Sequence, residues 1–394
     1  MKYYFAIIGF FISLGLPAQN RQTADSAYTH PLQAEGEKFL NYLETLYTNR
    51  EQWENRKSEI LSCLPEALRL NPLPPKPNSQ AILTPKRKYG DYTVENFAIE
   101  TLPGVYVAGS IYKPAKIKGK CPVILNPNGH FNDGRYRADQ QIRCAMQARM
   151  GMIAASWDLF AWGESLLQFD GSLHRLNAAN TIQILNAFRI LDYLLSLKEA
   201  DPARVGITGG SGGGSLTMMM AAIDPRISLS IPAVMLSSYF SGGCPCEIGM
   251  QAHLCGHHTN NVEIASMLAP KPQLIISDGK DWTSEVPESE YPFMRRIYEF
   301  YGAAGNLENN HFPEEGHDYG VSKRQASYRF IAKHFGLDTT ELSDENGDYD
   351  ESKVHIEPYH LMYVFGDKGE RLPQNAIKGK EELIKILHYV EILE

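Results

Sequence analysis

Residues 205–223 read VGITGGSGGGSLTMMMAAI, and the order of residue types in this stretch decides the fold. The apolar run VGIT is typical of a buried strand, and SLTMMMAAI is typical of a helix that begins directly after it. Between them, GGSGG at 209–213 matches the pattern G-x-S-x-G, in which a serine occupies a sharp turn from strand to helix. Glycines two residues before and after the serine let the strand and the helix approach closely. The stretch therefore predicts a strained turn that presents Ser211 as a nucleophile.

A phosphate-binding loop is the alternative for a glycine-rich turn before a helix. The P-loop pattern requires a lysine after its last glycine, and Gly214 is followed by Ser215 instead. A dinucleotide-binding fingerprint can be placed on 209–214, but it lies late in the chain, and no suitable acidic residue ends the next strand. The nucleophile turn is the favoured interpretation.

Strand-like and helix-like segments alternate on both sides of this turn. Residues 92–101 and 105–114 predict a hairpin joined by Leu-Pro-Gly. Further buried strands are predicted at CPVIL, GMIAASW, SLSIPAV and PQLIIS, and helices at 139–150, 180–199, 215–223, 291–301 and 327–334. This alternation predicts an α/β fold with a mostly parallel central sheet and helices on both of its faces.

The first 18 residues, MKYYFAIIGFFISLGLPA, have the pattern of a signal peptide. Lys2 supplies a positive start, an apolar run follows, and small residues precede a cleavage site after Ala18. The apolar run is shorter than the ~20 residues that span a bilayer, and no other segment is apolar enough to do so. We expect an exported protein, periplasmic or extracellular, without a membrane span.

The rest of the chain divides into three predicted parts. Residues 19–90 predict an N-terminal helical extension that ends in a proline-rich linker, NPLPPKPNSQ. Residues 91–338 contain the alternating segments and form the predicted catalytic core. Residues 339–394 predict a small appendage with an acidic loop, a strand over VHIEPYHLMYVF (354–365) and a final amphipathic helix.

The composition is that of an ordinary globular protein, with 43% hydrophobic and 21% charged residues. The net charge at pH 7 is −8. Proteins that bind nucleic acids or anionic membranes usually carry a basic stripe, and this sequence has none. We therefore expect no nucleic-acid partner, while the oligomeric state is left open.

A histidine and a carboxylate downstream of Ser211 are expected to complete a catalytic triad, in the order serine, acid, histidine. His317 lies in the glycine-flanked segment EEGHDYG and is the predicted base; His311, before Phe-Pro, is its nearest competitor. The acid is expected just past the strand PQLIIS, where Asp281 is favoured over Asp278. Glu247 is a further candidate, because the acid can come from the loop after the preceding strand.

Two backbone N–H groups are expected to form an oxyanion hole. One belongs to Gly212, directly after the nucleophile, where the helix N-terminus also favours negative charge. The second is expected from the loop after CPVIL, where Asn128 and Gly129 precede His130, and we assign it to the N–H of His130.

The segments GITGGSGGGS, NPNGHF, WDLFAWGES, TNNVEIASMLAPKPQLIISDGKDWT and EEGHDYG together resemble the acetyl-xylan-esterase-like branch of the α/β-hydrolases. The resemblance covers roughly residues 30 to 390. It implies an exported esterase of Bacteroidetes that removes acyl groups, typically acetyl, from plant or algal polysaccharides through an acyl-enzyme, without a metal or other cofactor. Carried over to this sequence, it assigns the nucleophile, acid, base and oxyanion donors to Ser211, Asp281, His317, Gly212 and His130.

Other functions remain open beside this one. Glucuronoyl esterases are related, but they carry an arginine directly after the nucleophile, where this chain has Gly212. A glucuronoyl or methyl esterase, a peptidase of the same fold and a non-catalytic glycan-binding homologue are the alternatives. Trp282, beside the predicted acid, is a candidate for stacking on a sugar, and Glu247 is a second candidate for substrate contact.

The loop from Cys244 to His258 has no single interpretation. Its cysteines and histidines are dense enough for zinc, but their spacing is not that of a regular zinc finger. A disulfide from Cys244 or Cys246 to Cys255 is an alternative in an exported protein. A lid loop beside the active site is the third interpretation, and no metal is assigned.

Overall fold

The computed structural model describes residues 32–248 and 252–387, so the predicted signal peptide lies outside the described residues. Within them, ten strands form one sheet. The strands are β1 (Ile82–Leu83), β2 (Arg87–Tyr89), β3 (Tyr92–Leu102), β4 (Val105–Pro114), β5 (Cys121–Leu125), β6 (Ile153–Trp157), β7 (Ala200–Gly210), β8 (Leu229–Ala233), β9 (Gln273–Asp278) and β10 (Leu307–Phe312).

The sheet order is β1-β3-β4-β6-β5-β7-β8-β9-β10, and β2 pairs with β3. From β6 to β10 every neighbouring pair is parallel, whereas β1 to β4 and the β4–β6 pair are antiparallel. The parallel strands all end at one edge of the sheet, where ligand sites of such folds form. The predicted α/β fold is confirmed, as is the predicted hairpin, which is β3 and β4.

Helices cover both faces of the sheet, as the alternation of buried residues along β5 shows. Val123 and Leu125 pack in the apolar cluster that includes the helices at 178–196 and 212–223, while Ile124 packs in the cluster that includes the helices at 138–149 and 321–335. The helices are α1 (Gln33–Leu46), α2 (Arg50–Ala67), α3 (Ala138–Arg149), α4 (Ala178–Ser196), α5 (Gly212–Ile223), α6 (Pro245–Ile248), α7 (Asn261–Ser266), α8 (Tyr291–Glu299), α9 (Val321–Phe335), α10 (Tyr359–Met362) and α11 (Gly379–Leu387). Of the helices that the structure describes, none combines the length and the apolar character needed to cross a membrane.

The predicted strand over 354–365 is wrong. Pro358 has no backbone N–H and is followed by the short helix α10. Further along, the N–H groups of Val364 and Phe365 donate to the buried carboxylate of Glu164 at 2.7–2.9 Å. The backbone N–H groups of this segment therefore donate to a side chain of the core instead of to a neighbouring strand. An alternating pattern of apolar and polar residues cannot distinguish these two cases. The proposed division into extension, core and appendage stays a prediction.

The predicted disulfide to Cys255 also has the wrong partner. Cys255 is bonded to Cys63 on α2, and the thiols of Cys244 and Cys246 are free. Helix α2 also forms a buried ion pair with α7, in which the guanidinium of Arg56 donates to the carboxylate of Glu263 at 2.8 and 2.9 Å. The pairing joins segments that are 192 residues apart, and sequence spacing gave no sign of it.

Candidate active site

Ser211 lies between the end of β7 and the start of α5 with backbone angles φ +56° and ψ −126°. A positive φ is unfavourable for a residue with a side chain, and such strain is typical of functional sites. The glycines make room for it: a Cβ on Gly209 would lie 2.6 Å from the carbonyl oxygen of Gly213, and one on Gly213 would lie 2.5 Å from that of Pro127. The turn has the geometry that the G-x-S-x-G pattern predicts.

The loop after β5 lies directly against this turn. A Cβ on Gly129 would be 2.4 Å from the carbonyl oxygen of Gly210 and 2.9 Å from the Cβ of Ser211. The backbone of His130 is thereby brought beside the nucleophile turn. Gly212 is the first residue of α5, and the N–H groups in the first turn of a helix have no partner within it. The two assigned oxyanion donors therefore lie on adjoining segments.

His317 and Asp281 form a hydrogen-bonded pair, with 2.7 Å between Nδ1 and Oδ2. Thr283 donates to the other carboxylate oxygen of Asp281 from both its N–H and its hydroxyl, at 2.6 Å each. Burial acts to raise the pKa of Asp281, but the hydrogen bonds from His317 and Thr283 outweigh it and lower the pKa below its ordinary value. The carboxylate is ionised at neutral pH and fixes the N–H of His317 on Nδ1, so that Nε2 is available as a base.

The other predicted candidates have different partners. Asp278 forms a buried ion pair with Lys323 at 2.8 Å, and both side chains are fully inaccessible to solvent. Burial raises the pKa of Asp278 against the opposing effect of Lys323. His311 lies on β10, where its Nδ1 is 2.9 Å from the hydroxyl of Ser277. The structure brings Asp281, and not Asp278, to His317.

Aromatic rings enclose the His317 imidazole. The ring of Trp282 lies 4.5 Å from it and stacks on Phe240 at 3.9 Å. Phe131, next to His130 in the chain, lies 5.7 Å from the same imidazole, and its ring is 3.6 Å from where a Cβ on Gly210 would lie. Phe131 therefore contacts both the imidazole of His317 and the nucleophile turn. Trp282 packs on the same imidazole, and its contact with a substrate stays a prediction.

Glu247 lies next to His130 rather than next to His317. Its Oε1 is 3.3 Å from Nδ1 of His130, and its Oε2 accepts the N–H of Gly243 at 2.8 Å. A Cβ on Gly212 would lie 3.0 Å from both Glu247 and the His130 ring. Glu247 therefore orients the imidazole that borders the nucleophile turn, and it is not placed to act as the triad acid.

Three further residues cluster around the imidazole of His130, and the sequence did not predict this cluster. Nε2 of His130 lies 2.8 Å from Nε2 of His174 and 2.9 Å from the sulfur of Cys246, and Cys244 completes the cluster. The Cys-Pro-Cys segment at 244–246 was the sequence signal that could have indicated this cluster. His253 and Cys255 from the same loop bind Asn261 and Cys63 instead, so the dense loop does not act as one site.

An aromatic cleft of about 520 Å³ adjoins the same region. Its walls include Trp162, Tyr136 and, from the C-terminal part of the chain, Tyr359 and Tyr363. Trp162 also packs edge-on against the imidazole of His130, with 6.0 Å between ring centroids. The cleft therefore begins beside a predicted oxyanion residue. Its rings were not identified from the sequence, because their segments are distant in the chain.

Comparison with solved structures shows extensive similarity to methylesterase BT1017. The two chains are 48% identical, the match covers 92% of this chain and 80% of the other, and the TM-score is 0.87. Residues 182–242, which contain the nucleophile turn, also match the family model of acetyl xylan esterases (AXE1).

Two curated relatives are more distant. The acetyl esterase Axe7A of Xylanibacter ruminicola is 28% identical over 142 residues, which is 32% of this chain and 31% of the relative. The 4-O-methyl-glucuronoyl methylesterase 1 of Sodiomyces alcalophilus is 26% identical over 243 residues, or 52% of this chain and 44% of the relative. The chain thus spans less than half of the length of either curated relative.

Proposed function

Because this chain belongs to the family of methylesterase BT1017, we propose that it is a serine carbohydrate esterase that hydrolyses the methyl ester of a uronic acid residue. The observations that carry the proposal are the strained turn that presents Ser211 and the hydrogen-bonded pair of His317 and Asp281, with Phe131 in contact with both. Two of the relatives named above are methylesterases by name, which favours a methyl ester.

The first half of the reaction forms an acyl-enzyme. Ser211 Oγ attacks the ester carbonyl as Nε2 of His317 takes its proton, and Asp281 stabilises the imidazolium that results. The N–H groups of Gly212 and His130 bind the oxyanion of the tetrahedral intermediate. His317 then gives its proton to the departing methoxy oxygen, so that methanol leaves and the uronic acid carbonyl stays bonded to Ser211.

In the second half of the reaction, water hydrolyses the acyl-enzyme with the help of the same side chains. His317 takes a proton from a water molecule, whose oxygen attacks the acyl carbonyl, and the same two N–H groups bind the second oxyanion. Collapse of this intermediate breaks the bond to Ser211 Oγ, which recovers its proton from His317. The products are the free uronate and the original serine.

A carbohydrate is the proposed substrate because of the cleft beside the site. Its rings, among them Trp162 and Tyr359, offer flat apolar faces on which a sugar can stack. The carboxylates of Asp133 and Asp367 line the same cleft and are acceptors for sugar hydroxyl groups.

Removal of an acetyl group is the second candidate function. The family model that matches residues 182–242 and the relative Axe7A both bear acetyl esterase names. The same triad serves this reaction, with the sugar oxygen instead of methanol as leaving group. Measuring both products from each substrate separates the two candidates.

Export to the periplasm or the extracellular space is part of the proposal. It rests on the signal pattern of residues 1–18 and on the Cys63–Cys255 disulfide, because disulfides persist mainly in oxidising compartments. Mass spectrometry of the periplasmic and secreted fractions of expressing cells would test it, with a mature chain beginning near residue 19 as the expected result.

The decisive experiment measures methanol and acetate released from a methyl-esterified uronic acid polymer and from acetylated xylan. We expect methanol as the main product and a loss of about 10⁶-fold in kcat for Ser211→Ala. Ser215→Ala is the matched control, because its hydroxyl is buried without a partner among the described residues and lies in the same helix.

Each other outcome has a definite meaning. Acetate as the main product would favour the second candidate. Release of neither product would contradict the esterase proposal, and hydrolysis of peptide amides would then be tested. Glycan binding without any turnover, equal in wild type and Ser211→Ala, would instead indicate a non-catalytic binding protein.

A further inference from the structure

Two imidazoles and two thiols converge beside the nucleophile turn. His130, His174, Cys244 and Cys246 each contribute one nitrogen or sulfur atom to a cluster, and these four atoms all lie within 4.8 Å of one another. His174 and both cysteines are buried, whereas a quarter of the His130 side chain is exposed. The four residues come from three segments: the loop after β5, a turn at Gly171–Arg175 and the loop after β8.

The surrounding acceptors determine which ring nitrogens carry hydrogen. Nδ1 of His174 is 2.6 Å from the carbonyl oxygen of Phe160, which can only accept. Nδ1 of His130 faces the carboxylate of Glu247, which also only accepts when it is ionised. In their neutral forms, both imidazoles therefore have hydrogen on Nδ1 and a lone pair on Nε2.

These two lone pairs face each other. The Nε2 atoms are 2.8 Å apart, and the sulfur of Cys246 is 2.9 Å from that of His130. Two acceptors at this distance repel unless a cation lies between them. A single proton could bridge two of the four atoms, whereas a metal ion can bind all four. Metal-binding histidines also usually donate the N–H of their other ring nitrogen to a carbonyl or carboxylate oxygen.

We propose that these four residues bind a zinc ion. Two nitrogen and two sulfur ligands form one of the common tetrahedral sets for structural zinc. Both thiols would lose their protons on binding, and the two thiolates balance the charge of Zn²⁺. With zinc–nitrogen bonds of ~2.0–2.1 Å, tetrahedral geometry places the two nitrogens ~3.3 Å apart, so the imidazoles would separate by about half an ångström.

The proposed zinc has a positioning role. Four protein ligands leave no open position for water or substrate, which is the property of structural sites. The ion would join the loop after β8 to the His130 loop, whose imidazole lies 3.0 Å from where a Cβ on Gly212 would be. This revises the expectation from the sequence that the chain needs no metal.

The zinc content of the purified full chain tests the proposal. After exhaustive dialysis, we expect one zinc per chain in wild type and in Cys121→Ala, and none in Cys244→Ser. Cys121 is a suitable control because it is also a buried free cysteine but lies at the opposite end of β5. Circular dichroism would establish that each variant is folded.

Two measurements on the wild type avoid any dependence on a variant. Cobalt(II) in place of zinc is expected to show the strong visible bands of a tetrahedral site and thiolate charge-transfer bands in the near ultraviolet. Denaturation with a chelator is expected to expose four reactive thiols, because Cys63–Cys255 is the single disulfide expected for the six cysteines.

The proposal fails if the zinc-loaded wild type holds no metal after dialysis, or if cobalt gives no thiolate bands. It also fails if only two thiols react, because Cys244 and Cys246 would then be joined to each other. None of these readouts depends on esterase activity, so the zinc site and the proposed function can fail separately.

Discussion

Asp278 and Asp281 carry the same side chain three residues apart but have different partners. Asp281 accepts hydrogen bonds from His317 and Thr283, while Asp278 accepts from Lys323 in a fully buried ion pair. Residue type and loop position leave the choice of acid open. The direction of each carboxylate, which depends on the fold around it, distinguishes them.

The same substitution at these two positions is expected to have different effects. Asp281→Asn should keep the fold but lower kcat by about 10⁴-fold, because the imidazole loses the acceptor that holds its tautomer. Asp278→Asn should instead lower the free energy of unfolding by about 1.5–3 kcal/mol, because Lys323 loses its fully buried partner and keeps only the more exposed carboxylates of Asp318 and Glu315. Steady-state kinetics and chemical denaturation of both variants provide the measurement.

Wild-type stability for Asp278→Asn, or near wild-type kcat for Asp281→Asn, would contradict this assignment. A common loss of kcat in two folded variants would indicate that both carboxylates act on His317.

The residues with a local signal could be proposed from the sequence: Ser211 from its glycines, and His317 and Asp281 from their loops after predicted strands. Of these, the structure joins His317 and Asp281 by a hydrogen bond. No local pattern links His174 or Cys244 to His130. These residues are brought together by the order of strands in the sheet and by where three loops end, and a local pattern contains neither.

At the scale of elements, glycines allow β7 and α5 to lie close to the loop after β5, because these positions have no space for a side chain. A Cβ on Gly213 would lie 2.5 Å from the carbonyl oxygen of Pro127. By contrast, a Cβ on Gly305 would meet nothing within 4 Å, at a backbone conformation that other residues can adopt.

Gly213→Ala is therefore expected to lower the free energy of unfolding by about 1–3 kcal/mol, the usual cost of overpacking, and to lower kcat by moving the nucleophile turn. Gly305→Ala is the matched control and should change stability by less than about 0.5 kcal/mol. Thermal and urea denaturation compare the two variants with wild type. Equal stability of the two variants would mean that the turn can move without cost.

The disulfide joins the N-terminal helix α2 to the chain after β8. Replacing both cysteines, in Cys63→Ser/Cys255→Ser, is expected to lower the free energy of unfolding by about 2–4 kcal/mol, because the unfolded chain gains freedom. Urea denaturation of the oxidised wild type and the double variant measures this difference. The control is the reduced wild type, which should behave like the variant; unchanged stability in both would contradict a structural role of the bond.

The sheet as a whole could be predicted better at its centre than at its edges. The central strands are apolar runs, such as CPVIL, and were found. β1 and β2 fall in or next to a proline-rich segment, and β10 reads LENNHF, whose polar residues hide an edge strand. Burial on both faces produces the apolar signal, so a strand at an edge with less burial lacks it.

At the scale of the whole molecule, a buried network of charges fixes the C-terminal part of the chain beside the site. Arg135 is fully buried and donates to Asp158, Glu164 and the carbonyl oxygen of Met362. Glu164 in turn accepts the N–H groups of two residues that follow α10. This arrangement explains why the segment forms no strand, and it holds α10 at the edge of the aromatic cleft.

The position of α10 leads to a prediction about substrate size. Tyr359 is exposed at the wall of the cleft and packs on Tyr136, with 5.2 Å between ring centroids. We expect its ring to contact a sugar bound beside the ester rather than the ester itself. Tyr359→Ala is expected to lower kcat/KM for an esterified oligosaccharide about two- to twelvefold, mainly through KM, as loss of one aromatic contact of ~0.5–1.5 kcal/mol implies.

We expect a small aryl ester to bind at the triad without reaching the cleft, so its kcat/KM should be unchanged in the same variant. Tyr42→Ala removes an exposed tyrosine from α1 and is the matched control for both substrates. An equal loss with the oligosaccharide and the aryl ester would indicate that Tyr359 supports the triad through the fold. No loss with either would mean that the sugar chain lies elsewhere, and the cleft would then not contribute to the recognition of a carbohydrate.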